Sequence, residues 1–286
     1  MTGTASESQL VGMEGLITVL IRNSTLSSSQ TGKTASDPVA DGVIIYQSTS
    51  GDAESTTGEA ATFQAVDSKL SSAIQSGSMF YLTNTSADVV LKNTELDFAS
   101  SVARLLYAAG NDANNWGQAG SNGATVKFTG IGQQLAGDVV ADTISSVDLH
   151  LTEGTTWAGA ASIEQNAAGS TSDAPMTVNI DGSSQWTVTA DSTVSSLNVA
   201  EGAKVVDADG KTVTIVAGGQ TVVQGDSGLT VTVTGSYSTD YDASSDEKDA
   251  TSQASTASDT DSGSSSDAEK GFFAQVVDWL KSLFGM

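Results

Sequence analysis

Apolar and polar positions alternate with period two in four segments that share one frame. These are TVLIRNSTL (18–26), TFQAVDSKL (62–70), DVVLKNTEL (88–96) and VKFTGIGQQL (126–135). Aligned on the closing leucine (Leu26, Leu70, Leu96, Leu135), they place Val19, Phe63, Val89 and Phe128 seven residues earlier. Ile21, Ala65, Leu91 and Gly130 fall five residues earlier. That period predicts strands with one face turned inward. Three residues before each leucine stand Asn23, Asp67, Asn93 and Gly132, residue types that tolerate positive φ. The pattern therefore predicts a sharp bend at the same place in every unit, after which the leucine re-enters the core.

A second strand family, GVIIYQS (42–48), MFYLTNT (79–85) and RLLYAAG (104–110), lies between these segments. The polar stretches Ser27–Asp41, Ser48–Glu59 and Gly110–Gly123 read as insertions that loop out. From about residue 137 the units shorten. VDLHLTEGTTW (147–157) and MTVNIDGSSQW (176–186) pair Leu149 with Val178, Leu151 with Ile180 and Trp157 with Trp186. LNVAEGAKV (197–205) repeats the end of this pattern with Val199 and Val205, and 211–222 and 228–235 read as the final strands. Val205–Ile215 has an alternative reading as a local hairpin around Asp209-Gly210. One such unit cannot bury its own apolar face, but stacked units can. The expected fold is all-β: a parallel β-solenoid with roughly 20–30 residues per coil, within the usual solenoid range. A β-sandwich is the rival, since strands at short spacing also build one; the bend at a fixed offset favours the solenoid.

Composition changes after Ser236. Residues 1–236 are assigned to the β-helix and 237–270 to a disordered Ser/Asp-rich linker. Asp240–Lys270 carries nine acidic and two basic side chains, net −7, and too little apolar surface to fold. As a random chain it spans ~30 Å. Residues 271–286, GFFAQVVDWLKSLFGM, place Phe272, Phe273, Val276, Trp279, Leu280, Leu283 and Phe284 on one wide helical face. This amphipathic C-terminal helix is expected to meet a membrane interface, the cell envelope or a partner protein through Phe272, Phe273, Trp279 and Phe284.

The whole chain has 286 residues, 34 acidic against 11 basic, and a net charge of −23. Nucleic acid is a poor partner for it, because phosphate binding needs clustered cations and Arg22 and Arg104 are the only arginines. With no cysteine, thiolate metal sites, disulfides and cysteine nucleophiles are excluded. Met1–Leu10 is polar and lacks a secretion-signal pattern.

The segments GVIIYQSTSGDAE, MFYLTNTSADVVLKNTEL, NNWGQAGSNGATVKFTG, GDVVADTISSVDLHLTEGTTW and DGSSQWTVTADSTVSSL resemble, in this order, exported bacterial right-handed parallel β-helix proteins of the adhesin-like or carbohydrate-binding kind. The resemblance spans about residues 1–235. It implies an extracellular or cell-surface location, and glycans or host and cell-envelope proteins as partners. Against the family pattern the chain reads as N-terminally truncated, its leader lost with the missing part.

Parallel β-helices also house polysaccharide lyases and hydrolases, which need close carboxylates or a basic residue beside one. No adjacent Asp-Asp pair occurs, and Arg104 near Asp112 is the one arrangement of the second kind; it reads as a solvent-facing strand residue. His150, the only histidine, is expected to be exposed beside Asp148. Asp207-Ala-Asp209-Gly210 lacks the further oxygen ligands of a calcium loop and reads as a turn. Neither a catalytic residue, a metal site nor a cofactor is assigned. Tyr81 and Tyr107 occupy matching outward positions, and with Trp116 in an inserted loop they form the candidate binding residues, able to stack on sugar rings. The same three also fit lateral packing beneath the loops. Trp157 and Trp186 are expected in the core or at its rim. The expected function is non-catalytic adhesion or glycan binding, with a polysaccharide-cleaving enzyme and a purely structural stalk as alternatives.

Overall fold

The computed structural model describes residues 1–34, 37–49, 60–112, 116–169 and 175–241. It comprises a compact unit, Met1–Glu247, and a second, Lys248–Met286, which lies outside the described residues together with most of the linker and the whole amphipathic tail. Among the described residues the chain is all-β, and strands recur in successive sets of three, each set being termed a circuit for its strand order alone. The first holds β1 (Thr2–Ala5), β2 (Val11–Glu14) and β3 (Thr18–Arg22). The second holds β4 (Thr25–Ser28), β5 (Asp41–Tyr46) and β6 (Ala61–Val66), and the third β7 (Lys69–Ser72), β8 (Ser78–Thr83) and β9 (Thr85–Lys92). Next come β10 (Glu95–Asp97), β11 (Arg104–Ala108) and β12 (Ala124–Ile131), then β13 (Gln134–Ala136), β14 (Val139–Asp142) and β15 (Ser146–Thr152). The sixth circuit is β16 (Thr156–Gly159), β17 (Ala161–Glu164) and β18 (Met176–Ile180). The chain ends with β19 (Gln185–Val188), β20 (Ser192–Val199), β21 (Lys204–Val206), β22 (Thr214–Ala217), β23 (Gln220–Val223) and β24 (Thr230–Ser238).

Through the sixth circuit strands pair in parallel with those three places away, except that β10 and β13 do not pair, and the described strands form four sheets. The first is β1-β4-β7-β10; the second runs from β2 through β5, β8, β11 and β14 to β17. The third, the largest, runs β3-β6-β9-β12-β15-β18-β20-β24-β22-β23. From the fifth circuit onward, β13-β16-β19-β21 takes the place of the first sheet in the strand order. The frame read from the sequence is the observed register: Val19 pairs with Phe63, Phe63 with Val89, Val89 with Phe128, and Phe128 with Leu149. Leu149 continues to Val178, and Trp157 to Trp186 and Val205. The inserted stretches fall in the connections β4–β5, β5–β6 and β11–β12, so circuit length varies without disturbing the pairing.

The predicted bends are all present. Asn23, Asp67, Asn93 and Gly132 have φ of 46°, 48°, 46° and 59°, and Glu153 continues the series at 52°. Left-handed geometry lets the chain turn a corner within one residue. It also aims each N–H at the next circuit: Asn23 to Val66 O (3.1 Å), Asp67 to Lys92 O (3.0 Å), Asn93 to Ile131 O (3.3 Å) and Gly132 to Thr152 O (3.0 Å). Asn93 Nδ2 donates to Asp67 Oδ1 at 2.7 Å, a side-chain ladder along the same edge.

One apolar core runs through the circuits. Phe80 meets Phe63 and Phe128 edge-on at 5.7 and 5.5 Å. Trp157 and Trp186 are fully buried and stacked at 4.8 Å. Each satisfies its indole by donating to a carbonyl of the preceding circuit, Gly137 O and Gly159 O, both at 2.9 Å; a buried donor without such an acceptor would cost about 1–3 kcal/mol. Near the end, Val206 and Thr212 bridge antiparallel about a turn in which Gly210 N donates to Asp207 O at 3.0 Å. The local-hairpin reading of that segment describes it. β22 and β23 then pair antiparallel.

Candidate functional site

Two outer faces carry the chemistry-bearing side chains. The outer face of the second sheet holds the aromatic residues. Tyr107 pairs with Tyr81 in register, and their rings stack at 5.7 Å. Tyr81 is 1% exposed and Trp116 6%. Trp116 stacks on Tyr46 at 4.2 Å, and with Ile44 and Ala109 they form a small apolar cluster outside the main core. Trp116 and Val39, from two of the inserted stretches, pack on this face. Tyr107 is half-buried: the Arg104 guanidinium sits 4.5 Å from its ring centroid, and its hydroxyl donates to Glu164 Oε2 at 3.3 Å. Arg104 also pairs with Glu164 at 3.3 Å. Its role here is to close the aromatic stack, rather than to face solvent alone. Burial, then the Glu164 charge, raises the Tyr107 hydroxyl pKa.

Asp41, at the start of β5, is 3% exposed. Among the described residues neither carboxyl oxygen has a hydrogen-bond partner, nor does Ser78 Oγ in the opposed register position. Burial, with the Asp37 charge second, pushes the Asp41 carboxyl from 3.8 up to about 8. It is therefore a neutral acid at pH 7.

The outer face of the third sheet is polar and open. Register places Asp88 beside Lys127 and Lys127 beside Asp148 on adjacent strands. His150, Asn179 and Asn198 form the parallel row two residues on. Ser86, Asp88, Lys127, Asp148, Asn179 and Asn198 line one groove of about 560 Å³ across β9, β12, β15, β18 and β20. Hydrogen bonds knit its floor: Asn198 Nδ2 donates to Asn179 Oδ1 and Asn179 Nδ2 to Asp148 Oδ1, each at 2.7 Å. Asp148 Oδ2 lies 2.9 Å from His150 Nε2, and His150 Nδ1 lies 2.9 Å from the Tyr241 hydroxyl. The expected exposed histidine is corrected: His150 does point outward, but it is 5% exposed. The segment after β24 returns across the sheet and sets Tyr241 over it.

The two groove carboxylates differ. Burial raises Asp88, only partly offset by Lys127. Burial also pushes Asp148 up, but the hydrogen bond and charge of His150, the Asn179 bond and Lys127 outweigh it and hold the carboxyl below its usual value. Sequence reading missed this row, although the frame contained it: Asp88, Lys127 and Asp148 each precede an aligned core residue (Val89, Phe128, Leu149). Among the described residues no three Asp, Glu or His side chains converge as a metal cage would require. Asp207 instead caps its own turn, accepting from Asp209 N and Lys211 N at 2.9 Å.

No protein-family model, curated protein or solved structure matches the chain.

Proposed function

We propose that the chain is a right-handed parallel β-helix of the adhesin-like kind, which works at a bacterial surface and holds glycans without cleaving them. The strand order supports the fold reading, because strand–crossover–parallel strand connections are right-handed almost without exception. One observation carries the function: hydrogen-bonding side chains repeat in register along a groove that crosses five strands. Strands advance by about 4.8 Å, comparable with one sugar unit of an extended glycan. Asp, Asn, Ser and Lys side chains at that interval offer each sugar both donors and acceptors. The acidic groove favours neutral or amino sugars over uronates. A glycan array on the whole chain tests this, with Lys127→Met and Asn198→Ala as variants whose melting temperature is checked first. Loss of the bound class in both supports the groove; unchanged binding in both refutes it.

A second reading, glycan cleavage, has one observation in its favour. Asp88 and Asp148 stand two strands apart, about 9.6 Å by strand spacing, with their pKa values displaced in opposite directions. Displacement of that sense marks acid and base pairs in hydrolases, and the strand spacing lies just beyond the roughly 6.5–9.5 Å between the carboxyls of inverting glycosidases. Release of reducing ends that vanishes in Asp88→Asn would establish this reading over simple binding.

A further inference from the structure

Among the described residues, the ladder joining successive circuits is interrupted once between β1 and β16. Every strand there bonds the strand three places on except β10, which bonds only β7, while β13 bonds only β16. The direction of the bonds shows what each edge presents. Glu95 N donates to Ser68 O at 2.9 Å, toward β7. Successive residues of a strand turn their N–H and C=O to opposite sides, so Thr94 and Leu96 turn away from β7. On the opposite wall, Thr156 N donates to Gln133 O (2.8 Å) and Gly137 N to Ala158 O (2.9 Å), both between β13 and β16. Gln134 and Ala136 therefore turn away from β16. Leu96 and Gln134 line the same cavity, of about 570 Å³, together with Asp67, Asn93, Glu95 and Gln133.

At one end of this slot a side chain stands in for the missing strand. Gln133 is 2% exposed. With its amide in the orientation that satisfies both atoms, the nitrogen donates to Thr94 O at 2.7 Å and the oxygen accepts from Thr94 N at 2.8 Å. A neighbouring strand would make that pair of bonds to Thr94 with an N–H and a C=O from two of its peptide units. The next residue along β10 with the same orientation is Leu96, facing the open part of the slot. The rim is acidic: Asp67, Glu95 and Asp97 against Lys69, which bridges Glu95 at 2.7 Å and Asp97 at 3.3 Å.

We propose that this slot binds an extended cationic peptide. Its backbone extends the Gln133 amide along the edges of Leu96 and Gln134, and its lysine or arginine side chains meet Glu95 and Asp97. Strand addition of this sort takes affinity from main-chain bonds and specificity from alternate side chains. Free strand edges are templates for such pairing, and the charge of the rim selects against acidic segments. Peptide capture here is independent of glycan binding on the third sheet.

The probe is a blocked, fluorescent pentapeptide alternating lysine and valine, read by anisotropy against the whole chain at low salt. Gln134→Pro deletes a slot-facing N–H on an exposed residue and spares the bonds of Gln133 and Leu135 toward β16. It should weaken binding roughly tenfold, the scale of one to two hydrogen bonds. Gln134→Ala, which keeps the backbone donor, should bind as wild type does. The pair Glu95→Gln with Asp97→Asn, both on the surface, should weaken binding at low salt and supplies the test if the proline variant fails to fold. Equal binding of the same peptide with methylated backbone nitrogens overturns the proposal, as does equal binding of a glutamate-for-lysine peptide. Absence of binding at millimolar peptide overturns it too. Self-association of the protein that Gln134→Pro abolishes would assign the slot to a second copy instead.

Discussion

Replacing Asp41 by asparagine should stabilise the protein, and by an amount that depends on pH. The native carboxyl titrates at about 8 and the unfolded one near 3.8. Between those values the folded chain keeps a proton that the unfolded chain has released. The unfolded state then binds fewer protons, so unfolding free energy falls as pH rises. The loss fades out as pH falls through about 4 and is complete about one unit above pH 8. Each pH unit in this window is worth about 1.4 kcal/mol, and the whole span roughly 6 kcal/mol. Asp41 is nearly inaccessible and its oxygens are unpartnered, so solvent does little to screen the effect. The substituted asparagine would keep the shape of the side chain and does not titrate. Urea unfolding of both proteins at pH 5, 6, 7 and 8 isolates the effect, because every other residue is common to both. The advantage of Asp41→Asn should grow by ~1.4 kcal/mol per unit. A difference that stays constant from pH 5 to pH 8 would refute the buried neutral acid.

Other substitutions address the fold and the termini. Asn93→Val forces a β-branched residue into φ 46° and should cost about 1–2 kcal/mol, whereas Asn93→Gly loses only the Asp67 contact; equal melting temperatures would disprove the repeated bend. Trp157→Ala opens the stacked indole pair and should destabilise by about 3–5 kcal/mol in chemical denaturation. Tyr241→Phe removes one hydrogen bond to His150 and should cost about 1 kcal/mol, with faster amide exchange over the outer row of the third sheet as a second readout. A chain ending at Tyr241 should melt as the full chain does but bind liposomes or envelope preparations less. A large fall in melting temperature would show that the 271–286 tail supports the strand array.

The strand array was legible because its signals are local and repeat. Asn23, Asp67, Asn93 and Gly132 mark a backbone requirement that few residues meet, and the leucine three residues on marks the core. Period two correctly set Tyr81, Tyr107 and His150 on outer faces. It could not say which outer faces are wet. Tyr81 is packed against Trp116 from an insertion whose length carries no pattern, and His150 is covered by a tyrosine 91 residues away. The replacement of the β10 sheet by the β13 sheet was illegible for a related reason. Leu96 and Leu135 occupy equivalent places in the frame, yet a buried glutamine amide between them substitutes for backbone pairing. The Asp88, Lys127 and Asp148 row was readable in principle, since it needs only the frame; adjacency along the chain was the wrong place to look for paired carboxylates.

If the polar groove on the third sheet is the ligand face, and if ligands leave it unaltered, calorimetric titration of the best array glycan measures both directly. The titration is run on wild type, Lys127→Met and Tyr107→Ala, with reducing ends assayed in the same samples. Lys127→Met should weaken binding roughly tenfold or more, as expected for a charged hydrogen bond. Tyr107→Ala should bind as wild type does, and no new reducing ends should appear. Binding lost in Tyr107→Ala but kept in Lys127→Met would move the site to the aromatic face, and reducing ends that disappear in Asp88→Asn would make the protein an enzyme.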